Sequence, residues 1–96
     1  MRIFVHEYVC GGGLAGQPLP ESLRREGWAM LRAVLEDFRD CRGVRTVTLL
    51  DERMTLGDDS WSRAEVNIVE PGSERTHFRE LARVSDFTLV IAPESV

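Results

Sequence analysis

Lysine is absent from this chain, and every one of its twelve basic residues is arginine. Within the chain, that excludes a Schiff-base lysine, a P-loop lysine and a lysine gripping nucleotide phosphates. Any nucleotide chemistry the chain serves must draw its lysines from elsewhere. Apolar runs are only a few residues long, against the roughly 18 that a membrane span requires, and the N-terminus leads straight into a strand pattern. Neither a signal peptide nor a membrane partner is expected. Cysteine is scarce, with Cys10 and Cys41 alone, so no disulfide framework is suggested and a cytoplasmic location is the expectation. The net charge is −4 and the arginines are scattered, which leaves no basic stripe for a phosphate backbone. Nucleic acid is not an expected partner. What is present is a globular composition, 43% hydrophobic and 29% charged, in 96 residues: enough for one core and too few for a two-domain catalyst.

Periodicity predicts the fold. Residues 2–9 mix β-branched and aromatic side chains with little alternation, as a strand covered on both faces would. The following stretch, 10–19, holds Gly11, Gly12, Gly13, Gly16 and Pro18 and is expected to be an irregular glycine loop. From Pro20 to Arg42, Leu23, Met30, Leu31, Val34, Leu35 and Phe38 fall on one helical face, with Gly27 at the same angle and Gly43 as a left-handed stop. Residues 44–50 read as a second strand, 51–63 as a polar loop, and 64–70 as a third strand of open direction. Ser73 can cap a helix whose apolar stripe is Phe78, Leu81 and Ala82. Residues 87–92 form an apolar run suited to a buried parallel strand. The order β-α-β-β-α-β predicts a parallel sheet with right-handed crossovers and the first strand central. It also places Cys10 and Cys41 near opposite sheet edges, about 20 Å apart, where a disulfide needs roughly 7 Å. Both are expected as free thiols.

In open parallel sheets, ligands bind beyond the strand C-termini, where neighbouring crossovers leave to opposite faces. If the first and last strands are neighbours, that crevice is lined by the glycine loop, with Gly11, Gly12 and Gly13, and by the turn carrying Glu94 and Ser95. Glycines allow close backbone approach and anion-binding N–H groups, and Glu7 and Glu94 would add carboxylates able to bind an amine or a cation. A flexible strand exit with solvated glutamates explains the same residues. Gly11, Gly13 and Gly16 also match G-x-G-x-x-G, but Pro18 and Pro20 delay the helix and Asp51 lies far beyond the spacing of a ribose-binding acid, so a dinucleotide site is disfavoured. Cys10 is expected to be a small buried residue, His6 to pack within its strand and His77 to lie at the surface. Asp58-Asp59 reads as a solvated loop, and Trp61 is undecided.

One ordered set of residues is Glu7-Tyr8 with Gly11-Gly12-Gly13, then Asp51-Glu52-Arg53, then Ser85-Asp86 before Leu89-Val90-Ile91-Ala92-Pro93-Glu94. It resembles the N-terminal domain of ATP-grasp ligases, especially the group containing tyramine-glutamate ligase. The resemblance spans nearly the whole chain but only the first part of such an enzyme. It implies a pre-ATP-grasp domain, residues 1–96 with a truncated C-terminal side: a short, mostly parallel Rossmann-like α/β sheet with helices on both faces. It implies an enzyme that joins a carboxylate to an amine through an acyl phosphate. ATP and magnesium would be bound mainly by later domains of the same polypeptide, and this chain alone would hold no cofactor, metal or catalytic residue. The substrate side would fall to Glu7, Gly11, Gly12, Gly13, Glu94 and Ser95. Loss of the partner domains would expose apolar surface along the last strand, so a homo-oligomer is expected of the chain alone. The alternative is a stand-alone flavodoxin-like or receiver-like domain that binds a small ligand or a protein.

Overall fold

The computed structural model describes residues 1–54 and 63–92. Four strands, β1 (Arg2–Glu7), β2 (Arg45–Asp51), β3 (Glu65–Val69) and β4 (Phe87–Ile91), form one sheet in the order β3-β2-β1-β4. All three pairings are parallel, which settles the direction of β3. Helix α1 (Glu21–Arg39) links β1 to β2, and α2 (Glu74–Val84) links β3 to β4. The first crossover moves one way across the sheet and the second moves back the other way, so right-handedness sends the two helices to opposite faces. The result is a Rossmann-like α/β arrangement.

Side-chain alternation along β1 feeds both layers. Ile3 and Val5 pack with Leu31 and Leu35 of α1, and with Leu50 and Met54. Phe4 turns to the other face with Val47, Leu49 and Val69, against Phe78, Leu81 and Ala82 of α2. On its solvent side α1 carries ion pairs at helical spacing, Arg25 with Glu21 at 3.4 Å and Arg32 with Glu36 at 2.9 Å. Such pairs add a few tenths of a kcal/mol each, so burial of the Gly27-Leu31-Leu35 face carries the helix.

Four expectations are corrected. β1 ends at Glu7 because the chain then coils: Val9–Gly13 is one wide helical turn closed by the Gly13 N–H donating to Tyr8 O at 2.9 Å. The glycine loop therefore opens as ordered structure. Helix α1 stops at Arg39, short of Arg42, and Gly43 at φ 74° redirects the chain. Ser73 does not cap α2 with its hydroxyl, which instead donates to Glu70 O at 2.8 Å and closes the Pro71-Gly72 turn. Finally, β4 is an edge strand, not a buried one, with Phe87 60% and Val90 54% exposed. An apolar run signals a strand buried on both faces only when other elements cover it, and among the described residues β4 has a neighbouring strand on one side alone.

Candidate functional site at the carboxyl edge of the sheet

β1 and β4 are neighbours whose connections lie on opposite faces, so the topological switch point falls between them. The Tyr8 N–H donates to Ile91 O at 2.8 Å and pins the two strand ends together. Alternation then sends the last two β1 side chains apart, Glu7 towards α1 and His6 towards α2.

Glu7 is not on the rim. Its side chain is fully buried, and its carboxylate accepts from the Cys10 N–H at 2.7 Å and the Val9 N–H at 3.2 Å, fastening the turn that follows. Gly27 of α1 lies directly against this carboxylate; a Cβ there would sit 2.6 Å from Glu7 Cδ. The glycine run is shaped by the same crowding. Gly12, at φ 98°, holds a left-handed conformation, and a Cβ on it would meet Val69 at 2.5 Å. Gly11 backs onto the His6 ring and Gly13 onto the Tyr8 ring. Gly11 and Gly12 are buried, Gly13 half-buried. Glu94 and Ser95 lie outside the described residues, as do Asp58, Asp59 and Trp61.

Cys10 is buried with its thiol donating to Arg24 O at 3.5 Å, and burial beside Glu7 pushes its pKa far up. A thiol so held is no nucleophile at neutral pH. Cys41 is free and exposed. Asp51, buried at the end of β2, is held below the usual carboxylate range by hydrogen bonds from the Arg53 side chain at 2.7 and 3.0 Å, despite its burial. The same guanidinium donates to Gln17 O and Leu14 O and so ties the chain beyond the glycine turn to β2. Asp51 is thereby committed to structure.

On the α2 face lies an open cleft of about 480 Å³. Buried His6 and half-buried Tyr8, Phe78 and Glu74 line it together with exposed Arg75, Arg79 and Val90. The His6 ring packs edge-on to Phe78 at 5.2 Å and tilted to Phe4 at 5.7 Å, while Nε2 is 3.1 Å from Glu74 Oε2. Burial lowers the His6 pKa, with Glu74 opposing. The ring is therefore neutral at pH 7, with Nε2–H donating to Glu74. His6 packs within β1 as expected, and it also touches the cleft. His77 is half-buried.

The buried carboxylates of Glu7 and Asp51 are engaged, and among the described residues no group of three or more metal-ligating side chains comes together. No family model, curated protein or solved structure matches the chain. Among the described residues no helix is long and apolar enough to cross a membrane.

Arg75, Arg79 and Glu74 escaped the sequence reading, which weighed α2 only by its apolar stripe. Their spacing of one and four residues was a visible signal. That the stripe docks over His6 depends on β4 pairing with β1, which periodicity does not specify.

Proposed function

We propose that this chain is the substrate-side, pre-ATP-grasp domain of an ATP-dependent carboxylate-amine ligase. The observation that carries the reading is the coincidence of a concave, charged cleft with the switch point between β1 and β4, the place where open parallel sheets hold small ligands. The order of motifs along the sequence supports the same reading. In it, ATP and magnesium are bound by further domains of the same polypeptide, a reading that the absence of lysine from this chain supports. The enzyme is cytoplasmic, in keeping with two free thiols.

The division of labour on this domain differs from the one expected from the glycine loop. Glu7 and Gly11-Gly12-Gly13 build a rigid turn under the edge, and the side chains that face solvent at the cleft are those of Tyr8 and α2. Reading the gene beyond Val96 tests the proposal. Nucleotide-binding domains are expected there; a stop codon at that point, or an unrelated continuation, would favour the stand-alone ligand-binding domain instead.

A further inference from the structure

The charge in the cleft is uneven. Among the described residues its one carboxylate, Glu74, is held by His6 Nε2 at 3.1 Å, whereas Arg75 and Arg79 have no ion-pair partner. Four residues apart on α2, the two guanidiniums lie on one helical face. Beside them Phe78, Tyr8 and Val90 supply apolar wall. In a chain of net charge −4, two arginines with no ion-pair partner among the described residues outweigh Glu74 and leave a local positive site beside an aromatic hollow. Guanidiniums bind carboxylates through paired N–H donors, and about 480 Å³ lies within the range of small-molecule pockets.

We infer that this cleft binds the carboxylate of a small molecule with an aromatic or branched apolar body, Arg75 and Arg79 gripping the carboxylate and Phe78, Tyr8 and Val90 covering the body. The ligand's role as the ligase's carboxylate substrate rests on the function proposed above; its binding does not.

The test is a titration of the isotope-labelled chain with phenylacetate, followed by NMR. Saturable shifts are expected at Tyr8, Phe78 and the side-chain Nε–H groups of Arg75 and Arg79. The double variant R75Q/R79Q should weaken binding by at least about tenfold, since each guanidinium contributes charge-assisted hydrogen bonds. Arg25→Gln, on α1 across the sheet, should change nothing, and phenethylamine, with the opposite charge, should bind more weakly than phenylacetate. The inference is overturned if phenylacetate gives no saturable shift at millimolar concentration, if R75Q/R79Q binds as the wild type does while folded, or if phenethylamine binds as well. Binding needs no ATP. A ligase that turns over without this binding refutes the cleft alone, and binding without any ligase activity refutes the ligase reading alone.

Discussion

Replacing Gly27 by alanine sets two effects of opposite sign against each other. In a helix interior, alanine is favoured over glycine by about 1 kcal/mol, through propensity and the lower entropy of the unfolded chain. Position 27 lies well inside the 19-residue α1, so a reading from sequence alone expects stabilisation. The added Cβ, however, would stand 2.6 Å from Glu7 Cδ and 2.9 Å from Oε2, where carbon contacts normally begin near 3.5 Å. Either α1 lifts, loosening the buried Leu31 and Leu35, or the carboxylate turns and leaves the Val9 and Cys10 N–H groups without their acceptor. Overpacking costs about 1–3 kcal/mol, and losing hydrogen bonds to a charged acceptor costs about 1.5–3 kcal/mol each, so the helix shift is the cheaper route. Net of the propensity gain, Gly27→Ala should lose up to about 2 kcal/mol, visible as a urea midpoint lowered by up to about 1 M. In a Glu7→Ala background the same substitution should turn neutral or stabilising, because the two residues are coupled by contact. A raised midpoint for Gly27→Ala in the wild-type background, or the same change in both backgrounds, would refute the account of Glu7 as the buried fastener of the glycine turn.

Gly12→Val should destabilise by more than about 2 kcal/mol, combining a forbidden positive φ with a clash against Val69, so any loss of ligand binding in that variant will accompany a lower thermal midpoint. The buried His6, with its pKa lowered in the fold, accepts a proton less readily than in the unfolded chain, whose histidine titrates near 6.5. Its contribution is therefore complete above about pH 6.5, falls as the pH drops below that value and levels off beneath the folded pKa; urea midpoints between about pH 7.5 and 5.5 should show this slope, and His6→Phe should reduce it. The exposed edge strand, with Phe87, Leu89 and Val90 uncovered, should make the chain self-associate at high concentration by light scattering, and Phe87→Lys with Val90→Lys should restore a monomer.

The layered architecture was legible because α1 carries a strong helical period and β1 is a β-branched and aromatic run closed by glycines. The pairing of β1 with β4 was only a condition of the sequence reading, and the strand order that meets it comes from the structure. Given that order, right-handed crossovers locate the switch point. What the sequence hid was local. Glu7 looks like any strand-end glutamate, and its burial depends on Gly27, twenty residues away, leaving a gap on α1. The glycine run reads as looseness, yet its residues are small because His6, Tyr8 and Val69 press against them. The run 87–92 is apolar enough for a core strand, and only strand order reveals that no described strand lies beyond it. Arg75 and Arg79 are unremarkable among twelve arginines until α2 is laid over His6.

The most direct test of the central proposal is amide formation by the full-length natural gene product. Incubated with ATP, magnesium and panels of carboxylates and primary amines, the enzyme should release ADP only when both partners are present. Mass spectrometry should find the amide, and Arg75→Gln with Arg79→Gln should raise the KM for the carboxylate more than that for the amine. ADP release that needs no amine, or turnover that yields a phosphorylated product and no amide, would contradict the ligase reading.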